Sequence, residues 1–178
     1  MDSMGQRKRL RAMIRRSGNI ERCFPGIELT GYERHSRPTR LYNCIAYAAG
    51  DLFAWWEPGA YWPLYLDADS GYGLVDLINA YISVGFENCG MNSSPEEGFE
   101  KVALYEDNDS RWTHAARLRP DGWWESKVGQ YDDILHKAPA ALEGRAYGKV
   151  ACYMKRTLAN ALKARIAARR RARANRKW

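Results

Sequence analysis

Cys44, His114 and Ser126 are the residues whose types and order could carry a reaction. Cysteine chemistry runs through the thiolate. A helix N-terminus favours that form, because unpaired backbone N–H groups stabilise negative charge. Residues 43–49 read as a helix with Asn43 as cap, Cys44 in the first turn and Gly50 as terminator. His114 falls near the start of a strand, where a rigid sheet could hold the imidazole as base and then acid. A third group must orient the ring. A hairpin turning at Pro120-Asp121 sets Ser126 or Lys127 roughly opposite His114. Ser126 is the chemically sensible orienter, since a charged Lys127 cannot accept a bond from the ring. Asp132 or Asp133, otherwise turn or cap residues, could take its place. Such a set would cleave an amide, isopeptide or peptide bond through an acyl-thioenzyme. The Cys44 N–H would contribute to the oxyanion hole. Cys44 has a second reading as a small buried hydrophobe. The domain would then be a non-catalytic binding protein.

These residues need elements to position them. Leu74, Leu77, Ile78, Tyr81 and Ile82 recur at helical spacing and predict a second helix ending at Gly85. Beyond it the period shortens to two. Strands are expected at 86–89, 100–106, 112–118, 123–128 and 149–154, with residues 112–128 forming a hairpin about Arg119-Pro120-Asp121-Gly122. Residues 23–40 carry Pro25-Gly26, Gly31 and Pro38 and read as extended or looped. His136 reads as a surface or helix-cap residue. The Trp55–Pro63 segment reads as an aromatic loop, serving as a core lid or a ligand platform. The fold class is therefore α+β, with N-terminal helices packed on a small, mainly antiparallel sheet.

Charge is divided along the chain. The net charge is +7, but residues 1–22 carry +5, residues 155–178 carry +10, and residues 23–154 carry −8. This suggests three parts: a basic N-terminal arm (1–22), an acidic core (23–154) and a basic C-terminal helix or tail (155–178). The tail's Leu158, Leu162 and Ile166 lie one turn apart and could dock on the core while its arginines pair with acids. Alternatively Arg165, Arg169, Arg170, Arg171 and Arg173 could hold nucleic acid, without sequence preference because no base-reading motif accompanies them. An anionic membrane surface is a weaker candidate, given so thin an apolar stripe. No apolar run is long enough to span a bilayer, and none follows Arg7-Lys8-Arg9, so a cytoplasmic location is expected. The four cysteines form no CxxC pair. Free thiols are expected, and the spacing supports neither zinc nor any other cofactor.

The order helix-Cys44, strand-His114, then a polar residue on the next strand resembles papain-like hydrolases. It is similar in particular to the compact amidase and endopeptidase branch that includes the CHAP domains. That resemblance covers about residues 40–130 and implies a peptide or amide substrate. A longer pattern comprises Asn43-Cys44-Ile45-Ala46, Trp55-Trp56-Glu57-Pro58, Gly85-Phe86-Glu87, Glu100 to Tyr105, Thr113 to Arg117, Trp124 to Gly129 and Asp133 to His136. It resembles a family of small bacterial and phage proteins known only as a domain of unknown function. That family supplies no activity, and the basic arms lie outside it.

Overall fold

The computed structural model describes residues 20–66, 70–129 and 133–175. The N-terminal arm up to residue 19, Asp132, Arg176 and Lys177 lie outside the described residues. The chain is α+β. Two short helices, α1 (Ile20–Cys23) and α2 (Pro25–Thr30), lead into β1 (Tyr32–Arg34). Helices α3 (Cys44–Ala48) and α4 (Leu74–Ser83) follow, and then strands β2 (Glu87–Asn88), β3 (Phe99–Glu106), β4 (Trp112–Leu118), β5 (Trp124–Lys127) and β6 (Asp133–His136). A 3-10 turn (Pro139–Leu142), β7 (Lys149–Thr157) and the long α5 (Leu158–Asn175) complete it. Seven strands form one sheet in the order β1-β6-β5-β4-β3-β7-β2, and every pairing is antiparallel.

The sheet divides the interior into two layers, because successive strand residues point to opposite faces. On one face Ala103, Tyr105, Ala116, Trp124 and Ile134 pack against Cys23, Phe24 and Ile27 of α1–α2 and against Leu142 and Tyr147. On the other, Val102, Leu104, Ala115, Cys152 and Met154 pack against Ile45, Ala46 and Ala48 of α3, Leu77 and Tyr81 of α4, and Trp56. Residue 148 must be glycine. A Cβ there would sit 1.9 Å from the Glu106 carbonyl oxygen, and its φ is +73°.

Three expectations are corrected. Residues 25–30 are helical, because Pro25 opens α2 at a position where a missing N–H costs nothing. His136 is fully buried in β6, between β5 and β1, and caps no helix. The Leu158–Leu162–Ile166 stripe does not dock, since these side chains are 55%, 59% and 42% exposed. β7 runs on to Thr157, and Arg156 is buried.

Candidate functional site

Asn43 anchors the start of α3. Its Oδ1 accepts from Ala46 N (3.0 Å) and Trp56 N (3.3 Å), and its Nδ2 donates to Trp56 O (2.6 Å). The cap thus fixes Cys44 as the first helical residue and ties it to the aromatic loop. Cys44 is half-buried against the layer that holds α3 and α4.

His114 faces the other layer. Ordinary alternation sets this, since Ala116 joins the α1–α2 layer and Ala115 the α3–α4 layer, and a bulge then follows. Tyr105 pairs with His114 and Glu106 pairs with Trp112, so Thr113 is the extra residue. Trp112 joins the α3–α4 layer. The His114 ring instead stacks on Tyr147, with centroids 4.0 Å apart and planes 2° apart, and meets Tyr105 edge-on. Its Nε2 lies 3.0 Å from Ser126 Oγ, and Ser126 Oγ lies 2.9 Å from His136 Nε2. His136 Nδ1 donates to the Ala138 carbonyl (2.8 Å). That last bond sets the protons along the row. His136 Nε2 is left as acceptor for the Ser126 hydroxyl, the Ser126 oxygen accepts from His114 Nε2–H, and His114 Nδ1 is the unprotonated nitrogen. His114 Nδ1 and the Tyr147 hydroxyl are buried without hydrogen-bond partners. Burial, and secondarily the neighbouring His136, pushes the His114 pKa well below the usual imidazole value. Burial lowers His136 to about 4, against a small upward pull from the Ala138 carbonyl.

The structure therefore brings His114 and Ser126 together and adds His136. It does not bring Cys44 into hydrogen bond with either ring nitrogen of His114. Lys127 and Asp133 lie on the α3 side. They pair at 3.5 Å, and Asp133 also accepts from Ser36 (2.5 Å) and Tyr42 (3.4 Å). Beside them Glu125 binds Arg117 and accepts from Tyr47 (3.2 Å), so a buried charge cluster underlies the start of α3. The roles of Tyr147 and Ala138 were not legible in the sequence. For His136 the signal was its place directly after the apolar pair Ile134-Leu135. Among the described residues no group of three His, Cys, Asp or Glu is arranged to hold a metal ion, and no helix is long and apolar enough to cross a membrane.

The second feature is α5. Ala161 and Ala168 are its buried side chains. Two arginines flank that strip and clamp the helix to the core. Arg165 pairs with Glu100. Arg171 donates to Asp51 Oδ2 (2.5 Å) and the Tyr61 hydroxyl (2.8 Å), with its guanidinium 4.0 Å from the Tyr61 ring centre. Glu100 also receives Arg156, at 3.0 Å. Burial alone would raise the Glu100 carboxyl, but Arg156 and Arg165 outweigh it and hold it below its usual value. Lys163, Arg169, Arg170 and Arg173 remain exposed on the solvent side, and α5 contains no acid.

An all-antiparallel seven-stranded sheet covered by helices on both faces defines the class as a two-sided α+β domain. Within that class the chain belongs to the family described as a domain of unknown function (DUF7689), which matches residues 33–155. No curated protein and no solved structure matches it.

Proposed function

We propose that this protein is a binding protein that holds nucleic acid, without sequence preference, along the solvent side of α5. The observation that carries the reading is the division of labour among the cations of α5. Arg165 and Arg171 are spent on Glu100 and Asp51, while Lys163, Arg169, Arg170 and Arg173 project into solvent with no acid on the helix. These four positions span ten residue steps, about 15 Å of helix. Apolar and basic side chains share one sector of α5. By helical spacing, Arg169 and Arg173 continue the line of Leu158, Leu162 and Ile166. A membrane-surface helix would segregate them onto opposite faces, so the arrangement favours phosphate over lipid.

Gel-shift titration of the full chain tests this. Four phosphate contacts give a log–log salt slope of about −3. Replacing Lys163, Arg169, Arg170 and Arg173 together by Glu removes binding without touching the core. Undiminished binding by that variant, or none by the parent at low salt, refutes the reading.

The second reading is a papain-like cysteine hydrolase acting through Cys44, His114 and Ser126. What favours it is the proton arrangement: Ser126 occupies His114 Nε2, and Nδ1 is the unprotonated nitrogen that could take a thiol proton. It requires Cys44 and His114 to meet. Helix α3 packs in the layer opposite the His114 ring, yet Cys44 lies near enough to Tyr147, on which that ring stacks, to interact with it electrostatically. Thiol labelling, argued below, separates the two.

A further inference from the structure

We infer that the nucleic acid held by α5 is single-stranded, with unpaired bases stacked on Phe53 and Tyr65. This rests on the nucleic-acid reading and narrows it. The aromatic loop is pinned to the basic helix at two points. Asp51 accepts from Arg171, and the Tyr61 ring lies beneath the same guanidinium. Gly50 closes the seam one residue earlier, where a Cβ would sit 3.2 Å from Arg165 Nε. Large apolar side chains stand exposed just past each pin. Phe53, two residues beyond Asp51, is 43% exposed. Tyr65, four residues beyond Tyr61, is 92% exposed. At about 3.5 Å per residue, they lie within roughly 7 and 14 Å of residues that touch Arg171. Neither ring is used by the fold as its neighbours are: Trp56 is buried against Tyr81, and Trp62 stacks on Trp112.

Exposed rings near the part of α5 where Arg169, Arg170 and Arg173 surround Arg171 in sequence suit a single strand. The cations follow the phosphates, and any base can lay its π-face on an aromatic side chain, so affinity needs no base-specific contact. A duplex keeps its bases stacked internally and offers the rings nothing. The acidic core adds to the selectivity, because its −8 charge repels the second strand of a duplex as it would any phosphate not matched to a cation.

The test measures binding of the full chain to a labelled homopyrimidine strand of about 16 nucleotides and to a duplex of the same length. Anionic phospholipid vesicles form a third arm. The strand is expected to bind more tightly than the duplex. Phe53→Ala with Tyr65→Ala should reduce strand affinity at least about fivefold, bringing the ratio of strand to duplex affinity close to one. Both residues are exposed, so an unchanged unfolding midpoint confirms that the variant is intact. Equal binding of strand and duplex, with no effect of the alanine pair, overturns the single-strand inference and leaves the nucleic-acid reading standing. Binding to vesicles but to neither oligonucleotide, or to none of the three, overturns both.

Discussion

The hydroxyl of Ser126 bridges His114 and His136, donating to His136 Nε2 at 2.9 Å while its oxygen receives His114 Nε2–H at 3.0 Å. Three buried polar side chains on three adjacent strands thus form one hydrogen-bonded row that leaves only His114 Nδ1 unpaired, and the Ala138 carbonyl fixes the direction of every proton among them.

Removing the bridge should be costly. Ser126→Ala leaves a buried N–H on His114 and a buried lone pair on His136 without partners. Each unsatisfied group costs about 1–3 kcal/mol, so a loss of roughly 2–6 kcal/mol is expected in urea unfolding. A loss below about 0.5 kcal/mol would mean that the two rings find other partners, and the row would not be a structural unit.

The same row makes the fold sensitive to acid. In the unfolded chain both imidazoles titrate near the ordinary value of about 6.5. In the folded chain burial holds both lower, His136 at about 4. As the pH falls below about 6.5 the unfolded chain therefore gains protons first, and stability drops until the folded rings titrate. The slope is about 1.4 kcal/mol per pH unit for each ring. Between about pH 7 and pH 5 the two together should cost on the order of 3 kcal/mol. His136→Gln should flatten the dependence by about half. A stability independent of pH across this window contradicts the buried, neutral state of both rings.

Much of this architecture was legible in the sequence, and the reason is periodicity. The alternation of β3 to β5 and the Arg119–Gly122 turn located the central hairpin, and the spacing of Leu74, Leu77 and Tyr81 located α4. Ser126 was legible as the neighbour of His114, although in register it lies nearer Ala116, because Glu125 pairs with Arg117. The face of His114 was not legible. One extra residue, Thr113, sends Trp112 toward α3 and off the face it would otherwise share with His114 and Ala116, and a one-residue slip leaves no trace in an apolar pattern. Strand β6 is only four residues long, and all four are buried whatever their polarity, so Asp133 and His136 looked like turn and cap residues. The docking of α5 was inverted for a similar reason. Leucine and isoleucine outrank alanine as core candidates, but only alanine lets the helix lie close enough for Arg165 and Arg171 to reach Glu100 and Asp51.

Thiol labelling distinguishes the two functional readings. Cys23 and Cys152 are buried, and burial pushes the Cys152 thiol up to about 11. Burial also raises Cys89. Cys44, half-buried at the start of a capped helix, should therefore react fastest with iodoacetamide near neutral pH, as peptide mass spectrometry would show. In the binding reading His114→Ala leaves that rate unchanged. A marked slowing of Cys44 labelling in His114→Ala would restore the hydrolase reading.

Arg156 should be the costliest single arginine to remove. Its guanidinium donates to the Ala49 carbonyl (2.8 Å) at the end of α3, to the Val84 carbonyl (3.2 Å) at the end of α4, and to Glu100 on β3. It also lies 4.3 Å from the centre of the Phe86 ring. Arg156→Ala opens a buried space and strips two helix ends of a donor, for an expected loss of about 3–5 kcal/mol. Arg165→Ala removes a partly exposed partner from the same carboxylate and should cost about 1 kcal/mol or less. Equal effects in chemical unfolding would show that the Glu100 pair, and not the joining of helix ends, dominates.

The hold of the core on α5 can be tested by releasing it. An isolated helix of this length is marginal in water even when rich in alanine. Beyond β7 it buries only Ala161 and Ala168, so much of its order rests on Arg165 with Glu100 and Arg171 with Asp51 and Tyr61. Arg165→Gln combined with Arg171→Gln should free the helix while leaving the two core layers intact. Limited trypsin digestion reads this directly, because Lys163, Arg169, Arg170 and Arg173 are exposed cleavage sites that a helical backbone protects. The double variant should lose its C-terminal segment several-fold faster than the parent, with the unfolding midpoint of the remaining core little changed. Cleavage at the parent's rate would mean that the alanine strip alone holds the helix. A collapse of the core midpoint would instead make α5 part of the cooperative fold, not an appended basic arm.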